Sequence, residues 1–169
     1  MWMVGIARLS VVVFATRVLI GIVLVVAGIL KAHDGPIVTA TFIAGYRILP
    51  SLVVAPLALM LPYVEILLGA YLTVGLFLRI VAWLAAAQFI VFSIAVASLV
   101  VRGIAADCGC FGSGVPTPPS WWHVMADLVL AAACVWVARD GSSLWSVDTV
   151  LAGDLFVSSE GISSQSTEE

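Results

Sequence analysis

Four long apolar runs, divided by short stretches that collect the charges, glycines and prolines, set the pattern of this chain. Residues 9–30 are almost wholly apolar apart from Arg17, and at about 1.5 Å per helical residue they are long enough to cross a hydrocarbon core of roughly 30 Å. A cleaved signal peptide has a shorter apolar region, about 7–15 residues, followed by small residues. Here Lys31-Ala32-His33-Asp34 follows instead, so the run reads as a first span. A second span covers 51–78 and carries Pro56 and Pro62, which membrane helices tolerate when neighbours satisfy the freed carbonyls. Gly69 and Gly75, with Ala70, offer it a small face for close packing. The third span, 80–101, has only Gln88, Ser93 and Ser98 as polar groups. The fourth, 122–138, opens at Trp121-Trp122, a pair suited to the membrane interface.

Between the first two spans, 31–50 reads as a polar connection, with a short interfacial helix over Ile37–Ala44 after the Gly35-Pro36 break. The pattern predicts an all-α, polytopic membrane protein: a four-helix transmembrane domain over 1–140, then an acidic, mostly disordered tail over 141–169. The tail has one apolar patch, Val147–Val157, too short to cross a bilayer.

Composition agrees. Of 169 residues, 63% are hydrophobic and 10% charged, and the mean hydropathy is +1.20, so lipid is the solvent for most of the chain. The formal charge of −3 hides an asymmetry: residues 1–139 carry seven bases and four acids, whereas 140–169 carry six acids and no base. No basic patch suits a nucleic acid. With four spans, Arg8, Arg79 and Arg139 fall on the side of the termini and Lys31, Arg47 and Arg102 on the other; Arg17 either adds to the first side or faces the bundle interior. This margin favours cytoplasmic termini in a bacterial cytoplasmic membrane, with the loop after the third span outside.

That loop holds the densest chemistry, Asp107-Cys108-Gly109-Cys110-Phe111-Gly112. Lys31, His33 and Asp34 belong to the same end of the bundle, and His123 stands at the start of the fourth span. Three readings compete. Cys108 and Cys110 cycle between dithiol and disulfide, in a small strained ring whose cost Gly109 lowers, with a nearby cation favouring the thiolate and Asp107 opposing it. Alternatively His33, Cys108, Cys110 and His123 bind a metal, although their spacing matches no common zinc pattern. In the third reading the cysteines only shape the loop. Glu65, deep in the second span, either pairs with Arg17 or a hydroxyl or relays protons. Asp127 reads equally as a surface salt-bridge partner or a site residue. Cys134, inside an apolar run, reads as packing.

The set Ala27-Gly28-Ile29-Leu30-Lys31, Tyr46-x-x-Leu49-Pro50, Leu61-Pro62-x-x-Glu65-x-x-x-Gly69 and Cys108-Gly109-Cys110-Phe111-Gly112 resembles the methylamine-utilisation MauE family of DoxX-like membrane proteins, over roughly residues 10–140. The resemblance implies a four-helix bundle and thiol–disulfide chemistry outside the cytoplasm, in maturation of a disulfide-rich dehydrogenase subunit. It implies Cys108 and Cys110 as the redox pair, with Lys31, Tyr46 and Glu65 as motif positions. In logic, though not in motif, the family is similar to the DsbB and vitamin K epoxide reductase oxidoreductases, which brings a quinone into view as cofactor. Those enzymes use two cysteine pairs; this chain has one pair and Cys134.

The expected function is therefore electron exchange between Cys108/Cys110 and a thioredoxin-like or disulfide-bearing extracytoplasmic protein, with Lys31 and Glu65 in the site. The rival is an accessory subunit of a larger membrane complex, such as a respiratory one, docked through the tail patch and the small-residue helix faces.

Overall fold

In a computed structural model the described residues are 2–114 and 117–140, with side chains described from Ser10 onward. They form four α-helices: α1 (Trp2–Gly45), α2 (Ser51–Val74), α3 (Leu78–Arg102) and α4 (Trp121–Asp140). All four are long and apolar enough to cross a membrane. The fold is thus all-α and the chain a multi-pass membrane protein. The acidic tail and its Val147–Val157 patch lie outside the described residues.

The helices pair as two hairpins, α1 with α2 and α3 with α4, which meet along narrower seams. Two close approaches fix the first hairpin. Gly21 faces Gly69, and a side chain on Gly28 would run into the Pro62 carbonyl oxygen at 2.6 Å. Backbones that near each other gain dispersion contact along their length, the main force between helices where lipid removes the hydrophobic drive. The central core runs from Val13, Ile20 and Leu24 through Leu68 and Leu72 to Ala82, Ala85 and Phe89, and closes on Ala131, Cys134 and Val137. Cys134 is buried there as a small packing residue. Outward positions such as Met60, Val91 and Val129 are apolar and exposed, as a lipid-facing surface requires.

The connection expected over 31–50 is mostly helix. α1 runs on to Gly45 and bends where Gly35 adopts φ 83°, ψ 167°. Pro36 has no N–H to continue the ladder, and Gly35 takes up the break in a single residue. The Thr39 hydroxyl donates back to the Gly35 carbonyl at 3.2 Å, across the first turn of the second limb. The short helix expected over Ile37–Ala44 is the second limb of α1.

α2 stops at Val74, earlier than expected. Gly75 takes the left-handed conformation (φ 78°) and its N–H caps the Tyr71 carbonyl, so Gly75 ends the helix instead of lining a packing face, and Ala70 is exposed. Of the three small residues expected to pack, Gly69 alone lies in the hairpin seam.

Candidate functional site

The loop between α3 and α4 folds back on itself. The Cys108 N–H donates to the Thr117 carbonyl at 3.0 Å, and Cys108 is buried against Val96 of α3 and Val124 of α4. α1 and the turn that follows it hold the loop from the other side. Lys31 Nζ donates to the Cys110 carbonyl at 2.7 Å, and the Tyr46 hydroxyl donates to the Cys108 carbonyl at 2.6 Å. Arg102 in turn donates to the Tyr46 carbonyl at 2.8 Å. Asp34, just before the bend, accepts from the Ser113 N–H at 2.5 Å and from its hydroxyl at 2.6 Å. α1, through Lys31 and Asp34, and Tyr46 just after it thus hold the loop at three points.

Gly109 sits between the cysteines with φ +63°, and a Cβ there would meet the Phe42 ring at 2.7 Å. Both the conformation and the close approach require glycine. This tight turn brings Cys108 Sγ to 3.0 Å from Cys110 Sγ. Both are free thiols, Cys108 buried and Cys110 partly exposed. The Thr117 hydroxyl lies 2.9 Å from Cys108 Sγ. Hydrogen bonds from Cys110 and Thr117 to the sulfur outweigh its burial and lower the Cys108 thiol to about 6. The hydrogen bond to Cys108 and burial push the Cys110 thiol up, so the first proton leaves the pair easily and the second does not. Burial, more than the neighbouring thiols, pushes the Tyr46 phenol up, which keeps it a donor.

Lys31 also ties this loop to the bundle interior. Its ammonium lies 2.7 and 2.8 Å from the two Glu65 carboxylate oxygens and 5.5 Å from the Phe92 ring centroid. Gln88 donates to Glu65 at 3.4 Å. The partner of Glu65 is thus Lys31, not Arg17 or a hydroxyl. The hairpin register explains the difference: with Gly21 opposite Gly69 and Gly28 opposite Pro62, Arg17 lies beyond Gly69, more than two turns from Glu65. Arg17 faces the interior, 4.9 Å from the Phe14 ring centroid.

The expected residues divide clearly. Cys108, Cys110, Lys31 and Glu65 come together. His33 is exposed, and His123 pairs through Nδ1 with the Ser120 hydroxyl at 2.9 Å. Among the described residues no three His, Cys, Asp or Glu side chains gather as metal ligands, so His33, Cys108, Cys110 and His123 are not assembled into a donor set. Asp107 is exposed. One carboxylate oxygen of Asp127 is buried with no hydrogen-bond partner, and the carboxyl acts electrostatically on Cys110 and Tyr46. Thr117 and Phe42 were missed. Phe42 is an unremarkable apolar residue in sequence, and Thr117, set among prolines, reads only as turn chemistry.

Beside the thiols lies an apolar cavity of about 420 Å³. Cys108, Gly109 and Cys110 form one wall, and Lys31, Tyr46 and Phe42 also line it.

Across these same segments, a family model described as "Methylamine utilisation protein MauE" matches residues 9–139. The chain belongs to the MauE family. It is 39% identical to a methylamine utilization protein MauE of Paracoccus denitrificans over 97 residues, 57% of this chain and 52% of that protein. It is 37% identical to one of Methylophilus methylotrophus over 125 residues, 69% of this chain and 65% of that protein. A third, from Methylorubrum extorquens, is 36% identical over 101 residues, 57% of this chain and 52% of that protein. The chain therefore spans about half to two thirds of the length of the curated MauE proteins it matches. No solved structure matches it. The MauE match includes every residue of the site from Lys31 to Asp127.

Proposed function

We propose that this MauE-family chain is a membrane thiol–disulfide redox protein whose Cys108/Cys110 pair oxidises thiols of an extracytoplasmic partner. The observation that carries the reading is the pair itself: two sulfurs 3.0 Å apart, on a loop whose carbonyls are held by Lys31 of α1 and by Tyr46 just after it. An S–S bond of about 2.05 Å needs the sulfurs to close by about 1 Å.

In the proposed cycle a partner thiolate attacks Cys110, the partly exposed residue of the pair. The Cys108–Cys110 bond breaks and Cys108 leaves as a thiolate, the better leaving group because its pKa is the lower. A second partner thiolate then attacks the partner's own sulfur in the mixed disulfide. Cys110 is released and takes a proton. The partner loses two electrons and the Cys108/Cys110 pair gains them. Lys31 and Glu65 position the loop through the Cys110 carbonyl.

Orientation follows the same reading. Lys31 is consumed in a buried ion pair, and counting it out leaves Arg47 and Arg102 on the loop side against Arg8, Arg79 and Arg139 on the other. That difference supports cytoplasmic termini in a bacterial cytoplasmic membrane. The relatives' name, methylamine utilization protein MauE, supports a partner that takes part in methylamine utilisation.

The test is asymmetric trapping. With the oxidised partner, the reverse of the exchange, the Cys110 thiolate of Cys108→Ser should attack the partner disulfide, release one partner thiolate and, with no Cys108 to resolve it, accumulate a reductant-sensitive mixed disulfide, and Cys110→Ser should not. Equal trapping by both variants would refute the assigned roles, and trapping by neither would refute the exchange.

A further inference from the structure

The apolar cavity beside the thiols has no part in exchange with a water-borne partner, yet it touches both cysteines. Its position between α2 and α3 follows from the weak contact of those helices. Leu57 on α2 and Val91 and Ile94 on α3 stand at its edge, and all three are exposed on the outer, apolar surface of the bundle. An occupant therefore arrives from the bilayer. The volume, about 420 Å³, holds one ring and the first part of an apolar tail. Phe42 and Phe92 offer flat aromatic surface, and Gln88, whose single bond to Glu65 leaves an amide N–H to give, offers a donor to a carbonyl. An acyl chain would use neither. A dithiol that has been reduced by a partner also needs a two-electron acceptor, and this is the described cavity where one meets the sulfurs.

We propose that the cavity is the site of a lipid-soluble quinone that reoxidises the Cys108/Cys110 dithiol. The proposal rests on the redox reading above and names the second substrate of the same site. The step balances: two S–H bonds break, one S–S bond forms, and two electrons and two protons convert the quinone to the quinol.

The experiment uses the purified full chain in nanodiscs, reduced and freed of reductant under anaerobic conditions. A short-tailed ubiquinone or menaquinone analogue is added. Quinol is read by absorbance and the remaining thiols by alkylation and mass. One quinol per pair of thiols lost is expected. Ala95→Trp, which fills the cavity, should slow quinol formation at least tenfold, whereas Val129→Trp, on the lipid face of α4, should not. Independently of any variant, a photoreactive azidoquinone should label wild-type segments 57–61 or 87–95. Oxidised glutathione serves as the control for the pair itself. If glutathione oxidises the pair but quinone neither oxidises it nor labels those segments, the quinone site is overturned and the redox reading stands. If glutathione also fails, the redox reading falls. A phospholipid that co-purifies in the cavity and is not displaced by the quinone overturns the proposal as well.

Discussion

Lys31 on α1 and Glu65 on α2 form an ion pair in the bundle interior, and the same ammonium holds the backbone of Cys110. Two acceptors from two other segments, the Glu65 carboxylate and the Cys110 carbonyl, thus share one buried hydrogen-bond donor. The pair is almost fully hidden, 4% and 1% exposed, so either charge left alone would have no water to solvate it.

The first prediction follows from that burial. Glu65→Gln should leave Lys31 uncompensated and cost roughly 3–5 kcal/mol, the range for breaking a buried pair from one side. The double variant Lys31→Met/Glu65→Leu should recover much of this stability while releasing the Cys110 carbonyl. Thermal unfolding in detergent measures the first effect, and the rate of thiol oxidation measures the second. A single variant as stable as the native protein would show that the pair is not a structural unit.

Gly109 gives a sharper local test. Gly109→Ala meets both a left-handed backbone and the Phe42 ring. Oxidation of the pair should slow by about tenfold or more, since the turn that brings the sulfurs together is disturbed. Phe42→Ala should restore part of the rate by removing the ring, but not all of it, because the Phe42 Cβ that alanine keeps still lies 2.9 Å away and a positive φ costs an L-residue of order 1 kcal/mol. Full rescue would mean that crowding alone matters.

The thiol titration has a defined sign. The ordinary Cys value is 9.0 and the folded value for Cys108 is about 6, so folding favours the thiolate. The reduced fold gains this stabilisation fully above pH 9, loses it as pH falls toward 6, and has none of it below. The ultraviolet absorbance of the thiolate should therefore rise around pH 6 in the reduced protein. Thr117→Val and Cys110→Ala each remove a hydrogen bond to the sulfur and should move the rise toward 9. A rise near 9 in the native protein would contradict Cys108 as the better leaving thiolate.

The four spans were legible because uninterrupted apolar runs have few other homes. Cys108 and Cys110 were legible because reactive side chains are rare in this chain. The continuation of α1 through Lys31–Pro36 was not. Charged residues beside Gly-Pro resemble a surface loop, but Lys31 and Asp34 point at the cysteine loop, and Gly35 absorbs the break alone. The partner of Glu65 was missed because pairing depends on helix register. The Gly21–Gly69 and Gly28–Pro62 contacts set that register, and no local pattern reports it. Thr117 was hidden for a similar reason, since it reaches Cys108 only after the loop doubles back.

Those same contacts predict a strong packing effect. Gly28→Leu would drive a side chain into the Pro62 carbonyl and Ile66. The two helices must separate, and because Lys31 lies less than one turn further along α1, its reach to Glu65 should fail too. We expect a loss of at least 1–3 kcal/mol, the usual cost of overpacking, and little folded protein in membranes. Ala32→Leu, at an exposed position on the same helix, is the control and should fold normally. Equal yields would show that the seam is looser than the structure has it.

Whether Cys108 and Cys110 form one two-electron couple is decided by a redox titration of the purified protein in glutathione buffers, with free thiols counted by mass after alkylation. Cys108 and Cys110 should lose their thiols together across a single transition while Cys134 keeps its own, and Cys108→Ser should abolish the transition. If both thiols persist across the whole range, or if Cys108→Ser leaves the titration unchanged, the pair is not a redox couple.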